Sequence, residues 1–120
     1  MSSVPTPQRV VVTGGSSGIG AATCQALLDA GYEVINVSRR PAAIQSERLR
    51  SLAVDLTDAA ATREVFFDLA KQTPATTVIH CAGVTREKIL EEASLEDLDA
   101  LANLHLGAAM SLVQANLPAM

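Results

Sequence analysis

Three glycines carry the clearest chemical signal in the chain. Gly14, Gly18 and Gly20 stand in the spacing G-x-x-x-G-x-G, directly after the run Arg9-Val10-Val11-Val12-Thr13. A loop of this kind suits phosphate. Gly14 lets the chain turn tightly off a strand, Gly18 lets the backbone approach a diphosphate with no Cβ in the way, and Gly20 lets a helix pack closely. The start of the following helix supplies N–H groups without intrahelical acceptors and the positive end of the helix dipole. Ser16 and Ser17 add hydroxyl donors, and Ile19 opens the helix. Glycines alone fit a ligand-free turn equally well; a strand before and a helix after favour the ligand. The spacing differs from G-x-G-x-x-G, and the Lys of a P-loop is missing, which weakens an ATPase reading.

The elements around this loop alternate. Residues 9–13 are apolar on consecutive positions, as in a strand covered on both faces. From Ile19 the period becomes helical, with Ile19, Ala22, Thr23, Ala26, Leu27 and Ala30 on one face and Gly31 as the stop. Residues 33–37 form a second strand, closed by Ser38-Arg39-Arg40-Pro41. Residues 42–47 are ambiguous, with a short helix as one reading, and 49–54 form a third strand ending at Asp55. Thr57 or Asp58 caps a helix over 59–71, with Ala61, Val65 and Leu69 inward. A fourth strand covers 76–80, and 81–93 begin as a loop. Ser94 and Asp97 have the spacing of a capping box before a long helix over 95–117, kinked near Gly107 and ended by Pro118. The result is an α/β fold, a doubly wound parallel sheet in the order 3-2-1-4.

Composition narrows the function. The chain has 120 residues, enough for one domain over 1–120, and 48% hydrophobic residues to fill its core. Aromatic residues are only 2%, and the net charge is −4. Stacking platforms and basic surfaces for nucleic acid are therefore not expected. No apolar stretch approaches the ~20 residues of a membrane helix, and the first eight residues have no apolar core of a signal peptide. Residues 2–7 are a short polar start expected to fray. Cys24 and Cys81 are too few for a disulfide framework and read as reduced thiols, which points to the cytoplasm. No metal-ligand spacing of His, Cys and carboxylates occurs.

Thr13-Gly14-Gly15-Ser16-Ser17-Gly18-Ile19-Gly20 resembles the T-G-x-x-x-G-x-G motif of the short-chain dehydrogenase/reductase family. The likeness extends from the first strand to Leu117-Pro118. It implies a Rossmann-like sheet, incomplete relative to the family, and a nicotinamide dinucleotide as ligand. A NAD site usually has an acidic residue at the end of the second strand. Here Ser38 stands there, followed by Arg39 and Arg40, and guanidinium groups suit a 2′-phosphate. NADP(H) is therefore expected over NAD(H). The resemblance gives Asp55, with Leu56, the adenine amino group; the simpler reading of Asp55 is a carboxylate at a helix N-terminus. In His80-Cys81-Ala82-Gly83, Ala82 and Gly83 match the family's N-A-G, while Cys81 replaces the Asn and reads first as a buried, inert thiol. His80 reads as a satisfied strand-end histidine.

The family's chemistry is hydride transfer between the nicotinamide and a carbonyl or alcohol. It uses a Tyr as general acid/base, a Lys four residues on, a Ser and a relay Asn. The only tyrosine here is Tyr32, and position 36 holds Asn rather than Lys. Counting back from Leu117-Pro118 puts His105 at the relay position, where it either relays protons or simply faces the sheet. The resemblance thus implies the cofactor-binding portion of an oxidoreductase, without turnover of its own. The alternatives are a non-catalytic dinucleotide-binding module and a piece that binds nothing. An open edge at the fourth strand and an apolar stripe of Leu98, Leu101, Ala109 and Leu112 predict a homo-oligomer.

Overall fold

The computed structural model describes residues 8–83 and 88–120. Residues 2–7 and part of the loop after the fourth strand therefore lie outside the described residues. Strands β1 (Arg9–Thr13), β2 (Glu33–Ser38), β3 (Leu49–Ala53) and β4 (Thr77–His80) form one sheet in the order β3-β2-β1-β4. Every pairing is parallel: Val11 lies opposite Ile35 and Val78, and Asn36 lies opposite Ser51. The expected topology and order are those observed.

β1 shows why consecutive apolar residues were needed. Val11 joins a core with Ile35, Val37, Phe66, Leu69, Leu104, Ala108 and Leu112. Val10 and Val12 point the other way, into a second core with Cys24, Leu28 and Val34. Helix α1 (Gly18–Asp29) covers this second face, and α2 (Ala59–Gln72) with α4 (Ala108–Asn116) covers the first. The sheet is thus doubly wound.

Three local expectations are corrected. The inward face of α1 is Gly20, Cys24 and Leu28, while Ile19, Ala22, Ala26 and Ala30 are exposed. Alanines left both faces mildly apolar, and Gly20 decides the rotation because only a residue without a side chain fits there. Residues 42–47 contain no helix. The long helix is interrupted: α3 (Leu95–Ala102) passes through a π-helical turn, Asn103–Gly107, before α4.

The caps settle as chemistry dictates. Of the two candidates before α2, Asp58 is the N-cap and accepts from the Ala61 N–H at 3.1 Å. Ser94 and Asp97 form the capping box of α3. At the far end, Asn116 accepts from the Ala75 N–H and donates to the Leu112 carbonyl, each at 3.0 Å, which docks α4 against the entry to β4.

The expected stripe also divides. Leu112 is buried in the core, whereas Leu98, Leu106, Met110, Val113 and Leu117 are exposed. The π turn shifts the helical register between α3 and α4, so Leu98 and Leu112 do not share one face. β3 and β4 are the edge strands of the sheet among the described residues.

Candidate functional site

A cleft of about 730 Å³ opens at the carboxyl ends of the strands. This is where ligands lie in open α/β sheets. The loops after all four strands line it, and they bring most of the candidate residues together.

The first wall is the glycine loop. Gly14 has φ +71°, and its N–H donates to the Val37 carbonyl at 3.0 Å. A Cβ there would lie 2.7 Å from the Ala82 backbone. Gly20 sits so close beneath the loop that a Cβ would lie 1.9 Å from the Gly14 carbonyl oxygen. Gly18 has φ +57° with open space around its missing side chain, so there the backbone conformation is what requires glycine. Gly14, Ser16, Ser17, Ile19 and Gly20 line the cleft; Gly18 does not. Ser17 is the N-cap of α1 but makes no side-chain cap bond, and the first turn carries no acidic residue. The positive end of the helix therefore faces the cleft without a local carboxylate to offset it. These features fit a diphosphate: the glycines let the loop fold tightly against Ala82 and the start of α1, and the first turn of α1 faces the cleft.

The second wall follows β2. Ser38, Arg39, Arg40 and Pro41 line the cleft, with both arginines exposed. Ser38 is buried, and its hydroxyl donates to the Arg40 carbonyl. Beneath this turn lies a residue that sequence reasoning missed. Asn36 is fully buried within β2. Its Oδ1 accepts from the Gly15 N–H at 2.7 Å, and its Nδ2 donates to Ser38 Oγ at 3.0 Å and Ser51 Oγ at 3.3 Å. The signal in the sequence was one amide inside the apolar strand Val34-Ile35-Asn36-Val37.

The third wall follows β3. Asp55, Leu56 and Thr57 line the cleft with Val54. The Asp55 carboxylate is exposed and accepts from the Thr57 N–H at 3.0 Å and the Thr57 hydroxyl at 2.7 Å, shaping the turn into α2.

The floor follows β4, where Cys81, Ala82 and Gly83 line the cleft together with Leu104. Cys81 is half-buried and borders the cleft, so it is not the buried thiol the sequence led us to expect. Its Sγ lies 4.0 Å from Thr23 Oγ1. The truly buried thiol is Cys24, whose pKa is raised, first by burial and then by the neighbouring Cys81.

His80 is satisfied on both ring nitrogens. Nε2 meets the Leu104 carbonyl at 2.9 Å, so it carries the proton. Nδ1 then accepts from the Thr13 hydroxyl at 2.7 Å, and Thr13 Oγ1 accepts from the Ala82 N–H at 3.2 Å. Burial lowers the His80 pKa, and the nearby His105 lowers it further, against the opposing pull of the Leu104 carbonyl.

His105 is exposed on the π turn and does not line the cleft itself. Its ring borders Gly83, where a Cβ would stand 3.0 Å from His105 Cε1. Asn103, two residues before it, donates from Nδ2 to the Thr57 carbonyl at 3.1 Å. Among the described residues no group of three or more His, Cys, Asp or Glu could hold a metal. No helix of the described residues is long and apolar enough to cross a membrane.

Comparisons with known proteins agree with this geometry. The family model for short chain dehydrogenases matches residues 8–120. The chain is 30% identical over 115 residues to a 3-ketodihydrosphingosine reductase of Bacteroides thetaiotaomicron, covering 95% of this chain and 42% of that protein. It superposes with a TM-score of 0.80 on a 3-oxoacyl (acyl-carrier-protein) reductase of Agrobacterium tumefaciens solved with NADP bound, at 28% identity, covering 92% of this chain and 46% of that one. A short chain dehydrogenase of Leptospira borgpetersenii with bound NAD+ gives 0.81 at 23% identity, covering 94% and 46%, and shows the shared fold. The chain spans less than half the length of the curated relatives it matches. With the glycine loop, the parallel sheet and the family match in agreement, this chain belongs to the short-chain dehydrogenase family of oxidoreductases.

Proposed function

We propose that these 120 residues are the NADP(H)-binding portion of a short-chain dehydrogenase/reductase that transfers hydride between the nicotinamide and a carbonyl or alcohol substrate. The observation that carries the cofactor reading is the turn after β2. Ser38 occupies the place of the ribose-binding acid, and Arg39 and Arg40 stand beside it on the wall of the cleft. Two guanidinium groups offer a 2′-phosphate charge-assisted bonds that a ribose hydroxyl cannot reward equally. In this reading the diphosphate lies against Gly14 to Gly20 and the first turn of α1, with the adenine toward Asp55 and Leu56 and the nicotinamide toward Cys81, Ala82 and Gly83. In this reading the whole protein acts in the cytoplasm as a homo-oligomer, whose interface would cover the exposed Leu98, Leu106, Met110 and Val113.

The test is a fluorescence titration of the chain with NADPH and NADH. Saturable binding with NADPH at least tenfold tighter supports the reading. Equal affinity removes the 2′-phosphate assignment, and no binding removes the nucleotide site.

The alternative to this reading is a non-catalytic nucleotide-binding module. Within these 120 residues Tyr32 is followed four residues on by Asn36 rather than lysine, and the segment that follows them in the gene discriminates the two. A coding sequence that continues past Met120 into a Tyr-x-x-x-Lys motif supports the reductase. Carbonyl reduction by the 120 residues alone would contradict the proposed division of labour.

A further inference from the structure

The buried Asn36 side chain joins two parts of the cleft that would touch different parts of a dinucleotide. On one side Oδ1 holds the Gly15 N–H, at the apex of the glycine loop. The fit there is tight: a Cβ on Gly15 would lie 2.6 Å from Asn36 Oδ1. On the other side both Nδ2 protons are used, one on Ser38 Oγ and one on Ser51 Oγ. Ser38 passes the tie to the Arg40 carbonyl. Ser51, opposite Asn36 in the β2–β3 ladder, accepts from the Ala42 N–H at 3.1 Å. The backbone of the Arg39–Arg40 turn is thus held at Ser38 and Arg40 and again at Ala42, with every polar atom of the central amide satisfied.

We infer that Asn36 is a positioning residue for nucleotide choice: it sets the Arg39–Arg40 turn at a fixed distance from the phosphate loop, so that the site is matched to a dinucleotide carrying a 2′-phosphate. The inference rests on the NADP(H) reading of the cleft. The physical reason is preorganisation. Arginine side chains are flexible, and holding their backbone removes part of the ordering cost of gripping an anion. An amide does this with one acceptor and two donors, a combination that neither a hydroxyl nor a carboxylate supplies.

The experiment measures Kd for NADPH and for NADH in the full chain and in two variants. Ser51→Ala removes one tie to the arginine turn and leaves the Gly15 contact and the cleft wall intact. It is expected to weaken NADPH about three- to tenfold and NADH less than twofold. Asn36→Leu also strips the Gly15 N–H of its acceptor, so it is expected to weaken both, NADPH the more. Simple loss of stability lowers both affinities by the same factor and leaves their ratio alone. An unchanged NADPH/NADH ratio in a folded Ser51→Ala chain overturns the inference while leaving the cofactor reading standing. A wild-type chain without NADPH preference overturns the cofactor reading and this inference with it. Should Asn36→Leu fail to fold, the Ser51→Ala ratio decides alone.

Discussion

Thr13 and His80, 67 positions apart in the chain, meet through a 2.7 Å hydrogen bond at the ends of neighbouring strands. The bond is one link in a chain of donors: Ala82 N–H to Thr13 Oγ1, Thr13 O–H to His80 Nδ1, and His80 Nε2–H to the Leu104 carbonyl. It connects the backbone of the cleft floor to the π turn that carries His105. That order of donors requires a neutral His80 with its proton on Nε2.

Protonating His80 puts a second N–H where Thr13 now donates. Because burial lowers its folded pKa, the unfolded chain binds the proton more readily. The stability His80 contributes is therefore fully present above its unfolded pKa of about 6.5. It is lost progressively as pH falls below that value through the lower folded one. Urea midpoints measured from pH 7.5 down to 5 are expected to fall, and His80→Gln is expected to flatten that part of the profile. The same variant costs about 1–3 kcal/mol at neutral pH by leaving buried partners unsatisfied.

Gly20→Ala places a methyl group against the Gly14 carbonyl, where no flexible side chain can give way. The variant is expected to lose about 1–3 kcal/mol of stability and to open the phosphate loop. Thermal melting reads the first effect and NADPH titration the second. A chain with unchanged melting and unchanged binding would contradict the packing described.

Arg39→Ala is expected to weaken NADPH by tenfold or more, the equivalent of a lost charge-assisted bond of about 1.5–3 kcal/mol, with little change for NADH. Equal losses for both nucleotides would place Arg39 elsewhere than at the 2′-phosphate.

Asp97 tests the start of α3. The hydrogen bond from Lys88 first, then the Ser94 N–H, holds its carboxyl at about 2, below the usual range. A lowered carboxylate pKa stabilises the fold above the unfolded value of about 3.9, and that contribution is lost as pH falls toward 2. Asp97→Asn is expected to lower stability at pH 7 and to remove this acid-side slope, read by circular dichroism between pH 5 and 2.

The sequence made some features legible and hid others for physical reasons. β1 and the glycine loop were legible because a twofold-buried strand needs Val-Val-Val and a left-handed turn needs glycine. Ser94 and Asp97 were legible because a capping box is a local contract between residues three apart. The face of α1 was hidden because alanines blur amphipathic contrast, and the deciding contact, Gly20 against Gly14, is tertiary. The π turn was hidden because it adds a residue to the helical register. Its ties, Asn103 to Thr57 and His80 to Leu104, come from distant segments. Asn36 was hidden because two of its three partners, Gly15 and Ser51, lie on other segments.

A crystal structure of the chain with NADPH tests most directly whether the cleft is shaped for a dinucleotide with a 2′-phosphate. The diphosphate is expected over the first turn of α1 and the 2′-phosphate within hydrogen-bond reach of Arg39 or Arg40. A nucleotide bound elsewhere, or a 2′-phosphate turned to solvent away from both arginines, would contradict it.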